Sequence, residues 1–131
     1  MKRKPHILVV DDEPNVLVTY RLILQQQGYD VSAALSSEEA RKALNQEDID
    51  LLLCDLSLEK QENGFDVISF GRQKNPELPT VLLTGYATQE ANDRADQLGI
   101  PMLFKPIDIK QLLQTISEML RNTYEQRKAT G

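Results

Sequence analysis

The sequence predicts an open α/β fold, in which a five-stranded parallel sheet is covered by helices on both faces. Three observations lead there. Five apolar runs stand at roughly even intervals along the 131 residues. Each run is continuous rather than alternating, the pattern of strands buried on both faces. The segments between them carry helical spacing with helix start and stop signals. Strict alternation of strand and helix then demands right-handed crossovers, which distribute the helices over both faces of the sheet.

The first strand covers residues 7–10 and ends at Asp11-Asp12-Glu13. Pro14 suits a first helical turn and Gly28 a helix end, so the first helix lies between them with Val16, Tyr20, Ile23 and Leu24 toward the core. A second strand at 31–35 precedes a helix over about residues 37–45, and a third at 51–54 ends at Asp55. The third helix covers about 64–74 and stops at Asn75-Pro76, because the residue before proline avoids helical backbone. Residues 80–83 form the fourth strand, ending at Thr84-Gly85. The fourth helix, about 88–98, has mainly Ala91, Ala95 and Leu98 on its apolar side, a stripe so thin that loose docking is expected. The fifth strand, 102–104, ends at Lys105-Pro106. Asp108 then caps a helix that presents Ile109, Leu112, Leu113, Ile116, Met119 and Leu120. Residues 5–121 read as one domain, and 122–131 as a polar tail or the start of a linker. Internal repeats and low-complexity stretches are absent.

Composition excludes several classes. A net charge of -5 lacks the basic footprint that phosphate-backbone binding needs, so direct nucleic-acid binding is not expected. The single cysteine, Cys54, rules out an intrachain disulfide, and its neighbours Leu51, Leu52 and Leu53 mark it as a buried thiol. The basic start Met1-Lys2-Arg3-Lys4 is followed by an apolar run too short for an export signal, and no stretch suits a membrane span. A cytoplasmic setting follows as the expectation. His6 precedes the first strand without clustered ligand partners and reads as an edge or surface residue.

In this fold class ligands sit beyond the carboxyl ends of the strands, where the strand order reverses. The residues just past the strand ends are Asp11, Asp12 and Glu13, then Asp55, then Thr84 and Gly85, then Lys105 and Pro106. Converging there, Asp11, Asp12 and Asp55 would repel one another without a cation. Mg²⁺ suits the set, since it prefers oxygen ligands and binds through a few carboxylates plus a phosphate oxygen. Lys105 adds a positive charge and Thr84 a hydroxyl donor, so a transferring phosphoryl group would meet stabilisation on several sides. Read one by one these residues carry blander meanings. Asp11-Asp12 is equally a helix-capping pair, Thr84-Gly85 a turn, and Lys105-Pro106 a surface lysine before a helix-starting proline.

Together the strings ILVVDDE, LLLCDLSL, VLLTGY and MLFKPI resemble the receiver domain of two-component response regulators, of the chemotaxis-regulator-like kind. The resemblance implies a flavodoxin-like doubly wound (βα)5 three-layer sandwich with strand order 2-1-3-4-5. It implies Asp55 as phosphoacceptor, Asp11 and Asp12 as the acidic pair holding Mg²⁺, and the Ser57 backbone carbonyl as a further metal ligand. Thr84 matches the hydroxyl residue that moves toward the phosphoryl group, Lys105 the lysine that pairs with it, and the Lys105-Pro106 bond is expected to be cis. The implied partner is a sensor histidine kinase or histidine phosphotransfer protein. Output is expected through the face of the fourth helix, fifth strand and fifth helix, to a target or a second copy. The domain is then a phosphoacceptor, not an enzyme acting on outside substrates.

The sequence departs from the family pattern at three places. Met102 stands where many receivers carry a switching Tyr or Phe; Phe104, two residues on, reads as core. The loop over residues 56–63 lacks the usual proline and is slightly long, which would reshape a partner surface. Ser57 and Tyr86 occupy the positions that line the path of attacking water, and a bulky Tyr86 there would lengthen the phosphoryl lifetime. A haloacid-dehalogenase-type hydrolase would need an Asp where Ser57 stands, and a flavodoxin-like cofactor carrier would need a phosphate cradle where Asp11-Asp12-Glu13 repels phosphate. A pseudo-receiver that binds partners without phosphorylation is the remaining alternative, left open by Met102.

Overall fold

The computed structural model describes residues 3–58 and 63–130, with side chains described as far as residue 123. Expectations that fall on Met1, Lys2, Gly131 and the middle of the loop after Asp55 lie outside the described residues. Strands β1 (His6–Val10), β2 (Asp30–Ala34), β3 (Leu51–Asp55), β4 (Thr80–Thr84) and β5 (Met102–Phe104) alternate with helices α1 (Pro14–Gln26), α2 (Ser37–Gln46), α3 (Gly64–Lys74), α4 (Gln89–Leu98) and α5 (Ile109–Thr130). All pairings are parallel, in the order β2-β1-β3-β4-β5. This is the flavodoxin-like doubly wound order, with its switch point between β1 and β3.

The continuous apolar runs are explained by two cores, one on each face. Leu8, Val10, Leu52, Cys54 and Leu82 point into the layer under α2, α3 and α4. Ile7, Val9, Leu53, Val81 and Leu83 alternate with them into the layer under α1 and α5. Burial on both faces holds for the central β1, β3 and β4 but fails at the edges, where β2 is half-buried and β5 half-open. Phe104 is therefore not core: it is 52% exposed, because it ends a three-residue edge strand.

Capping follows the sequence signals. Ser36, Asn63, Thr88 and Asp108 each accept a backbone N–H from the first turn of α2, α3, α4 and α5. On α1 the buried residues are Leu17, Tyr20 and Leu24, while Val16 and Ile23 sit half-buried at its margin. On α5, Leu112 and Ile116 are fully buried, whereas Ile109 is 37% exposed in the first turn. On α4 only Ala95 is buried, and Leu98 is 41% exposed, so the loose docking expected of this helix is what the fold has. His6 is half-buried; its Nε2 lies 2.7 Å from Ser32 Oγ, which donates to Glu47 Oε1 at 2.6 Å.

Candidate functional site

Strand register brings the predicted residues to one edge. Val10 pairs with Cys54, so Asp11 and Asp55 come next on adjacent strands. Asp55 pairs with Leu83 and Thr84 with Phe104, which sets Thr84 and Lys105 one step further along. Carboxylate oxygens of Asp11, Asp12 and Asp55 lie within 4.8 Å of one another.

Asp55 is buried at the end of the central strand, with both oxygens engaged. Its Oδ2 accepts from Lys105 Nζ at 2.9 Å and its Oδ1 from the Ser57 backbone N–H at 3.1 Å. Asp11 is 1% exposed. Its Oδ1 accepts the Glu13 N–H at 3.0 Å, but its Oδ2 is buried with no hydrogen-bond partner, the nearest cation being Lys105 Nζ at 3.7 Å. Burial pushes the Asp11 carboxyl up to about 6; the charges of Asp55 and Asp12 add to this, against the Glu13 N–H and Lys105. Burial works to lower the Lys105 pKa, yet its hydrogen bond to Asp55 and the charges of Asp55 and Asp11 outweigh that and raise it. The site thus gathers three acids around one cation and leaves one buried oxygen unsatisfied. A hard divalent ion suits that donor set, because an unpartnered buried oxygen is costly and Mg²⁺ takes oxygen ligands.

The other predicted residues occupy distinct places. Thr84 is buried, and its Oγ1 donates to the Tyr86 carbonyl at 2.6 Å while accepting the Tyr86 N–H at 3.2 Å. The turn reading of Thr84-Gly85 is therefore realised, with the hydroxyl committed to the loop. Tyr86 is 79% exposed and lines an open groove with Ser57, Leu58, Asn63 and Thr88. Ser57 forms an antiparallel bridge with Asn63 across the base of the loop after β3. Met102 is half-buried against the core on the α4 side. The Lys105-Pro106 bond is cis.

Sequence reasoning missed Gly64 as part of the site. A Cβ there would stand 2.6 Å from the Asp55 carbonyl oxygen, so no side chain fits without displacing one of them. The available signal was a glycine at the first position of a helix that Asn63 already caps, where glycine has no capping role of its own. The Glu13 and Ser57 backbone donors carry no side-chain signature at all.

Comparison with known proteins points one way. The family model of the response regulator receiver domain matches residues 7–117. The transcriptional regulatory protein GlrR of Escherichia coli is 33% identical over 125 residues, 94% of this chain and 28% of that protein. The response regulator protein PilR of Pseudomonas aeruginosa is 30% identical over 115 residues, 87% of this chain and 26% of that one. The chain thus spans about a quarter of the length of these curated relatives. Among solved structures, a CheY-like receiver domain protein from Methanospirillum hungatei aligns with a TM-score of 0.88 at 27% identity, covering 94% of this chain and 98% of that one. The non-phosphorylated HemR receiver domain from Leptospira biflexa aligns with a TM-score of 0.81 at 30% identity, covering 89% and 94%.

Proposed function

This chain belongs to the response regulator receiver domain family of two-component systems, and from that premise we propose that Asp55 accepts a phosphoryl group from a phosphohistidine of a partner kinase or phosphotransfer protein. The observation that carries the reading is the Lys105 Nζ to Asp55 Oδ2 contact of 2.9 Å beside the unsatisfied Asp11 Oδ2. In the transfer the N–P bond of the phosphohistidine breaks, a carboxylate oxygen of Asp55 bonds to phosphorus, and the imidazole leaves with the electron pair. Asp11, Asp12, Asp55 and the Ser57 carbonyl are the residues that would hold Mg²⁺. When bound it would neutralise charge on the acids and on the phosphoryl oxygens. Lys105 stays in place to pair with the phosphoryl oxygens once Asp55 is an acyl phosphate.

Phosphorylation replaces the single charge of the buried Asp55 carboxylate with a phosphoryl group carrying roughly -1.5 to -2, a net gain of about one negative charge at most. Thr84 answers by exchanging its bond to the Tyr86 carbonyl for one to the phosphoryl group, which frees the loop that leads into α4. The face of α4, β5 and α5 then changes its packing and is read by an output module, a target or a second copy. The domain acts as a switch that promotes only its own phosphorylation and dephosphorylation. No helix among the described residues is long and apolar enough to cross a membrane, and we assign the domain to the cytoplasm, where its kinase partner presents phosphohistidine. Residues 122–130 continue α5, and we read them as a polar tail or the start of a linker that extends the helix past the packed domain.

The test is mass spectrometry after incubation with acetyl phosphate and Mg²⁺. A phosphoryl adduct is expected on the wild type and not on Asp55→Asn. Lys105→Gln should slow adduct formation by about 10²-fold, the order seen when one charge-stabilising donor is lost. If the wild type forms no adduct at any Mg²⁺ concentration, the pseudo-receiver reading replaces this one.

A further inference from the structure

A ten-residue helix with one buried side chain is not held by propensity, so α4 depends on contacts with its neighbours. Two cationic side chains supply such contacts, and both join α4 to α3. The Arg94 guanidinium of α4 lies over the Phe65 ring, 4.5 Å from its centroid. The Arg72 guanidinium of α3 donates to the Leu98 carbonyl at 3.2 Å and, through its other terminal nitrogen, to the Leu78 carbonyl at 3.3 Å. Leu98 is the last residue of α4, where Gly99 turns the chain with φ 69 and the final carbonyls seek outside donors. No carboxylate pairs with Arg72 among the described residues, so the carbonyl end of α4 serves as its counter-charge.

The Arg94 contact leads back to the acidic site within one residue. Phe65 is 2% exposed and follows Gly64, whose backbone abuts the Asp55 carbonyl and whose N–H donates to the Leu56 carbonyl at 2.8 Å. The Phe65 N–H is fixed on Asn63 Oδ1 at 2.7 Å. A shift of the acceptor backbone is therefore passed by van der Waals contact to the start of α3, and so to the ring on which α4 rests.

We propose that Arg94 on Phe65 and Arg72 on Leu98 latch α4 to α3 in the unphosphorylated arrangement, and that phosphorylation of Asp55 loosens the latch through Gly64 and Phe65. This coupling rests on the reading of Asp55 as acceptor, but it uses neither Thr84 nor Met102. It gives α4 a second connection to the site, which matters where the usual aromatic switch residue is a methionine. By linkage, a variant that weakens the latch must favour the phosphorylated arrangement to the same degree.

The test is amide hydrogen exchange on the full chain by mass spectrometry, in metal-free buffer, for wild type, Arg94→Gln, Arg72→Gln and Arg94→Lys. Each Gln variant should speed exchange of the α4 amides about two- to fivefold, through loss of the exposed Arg94 contact on the Phe65 ring or of the hydrogen bond from half-buried Arg72 to the Leu98 carbonyl. The β3 and α2 amides should stay at the wild-type rate. Arg94→Lys keeps the cation and should stay near wild type. Unchanged α4 exchange in both Gln variants, or equal acceleration of β3 and α2, overturns the latch. An NMR titration with beryllofluoride and Mg²⁺ tests the coupling: Arg94→Gln should bind about two- to fivefold more tightly. Equal or weaker binding overturns the coupling. A wild type that does not bind beryllofluoride removes the acceptor reading and the coupling with it, while the metal-free exchange still decides the latch.

Discussion

The α-carbon of Gly64 packs so closely on Asp55 that an added methyl would stand 2.6 Å from the Asp55 carbonyl oxygen and 3.1 Å from the Leu56 Cα. Both neighbours are backbone, so neither can rotate away. Gly64→Ala is expected to destabilise the fold by about 1–3 kcal/mol, the range for overpacking. Urea denaturation measures it. A variant as stable as wild type would mean that α3 slides freely against the acceptor, contrary to so close an approach.

Asp11 should reveal the metal through stability. Without metal its folded-state pKa of about 6 stands above the ordinary value of 3.8, because burial favours the neutral form. Its contribution to stability is full below 3.8 and is lost as pH rises through 6. In chelator, the melting temperature of Asp11→Asn relative to wild type should therefore climb across that interval. Above neutrality Mg²⁺ should raise the melting temperature of wild type and leave Asp11→Asn unmoved. Equal Mg²⁺ responses in the two proteins would remove Asp11 from the metal set.

Tyr86 is tied to Thr84 by its backbone and leaves its ring in solvent. If Thr84 releases that carbonyl as proposed above, the ring would be free to cover the groove that it shares with Ser57. Tyr86→Ala is expected to shorten the lifetime of the aspartyl phosphate, followed as phosphate release after removal of acetyl phosphate. An unchanged release rate would show that the ring shields nothing.

Cys54 should behave as a silent thiol. It is fully buried, and burial, followed by the charges of Asp55 and Asp11, pushes its pKa far above the ordinary range. Labelling by a thiol-specific disulfide reagent should track global unfolding across a denaturant series. Fast labelling of the native protein would contradict the burial of β3.

The sheet was legible because buried parallel strands write long apolar runs, and the acidic site because four of the five strand ends, all but that of β2, carry their own chemical group. Asp11, Asp12, Asp55, Thr84 and Lys105 could be read together once strand order was inferred. Gly64 was not read with them, since its importance lies in an approach to the Asp55 carbonyl across a loop, and a helix-starting glycine beside the Asn63 cap is its only trace in the sequence. Phe104 was misread for a related reason: strand parity tells which face a residue points to, but not whether a helix covers that face at an edge. On α1 the choice of Leu17 over Val16 turns on the angle at which the helix meets the sheet, which apolar spacing alone leaves free by one position.

Because Ala95 is the one buried residue of α4, the rest of that helix is nearly released from the demands of the core. Exposed positions such as Asp93, Asp96 and Gln97 can accept substitution at little cost to folding. If the proposed α4, β5 and α5 face is the one partners read, such domains could diversify it while Asp55, on a strand buried along its whole length, is held by the core. Duplicated copies would be free to separate their wiring by drift on α4, without first having to survive a damaged fold.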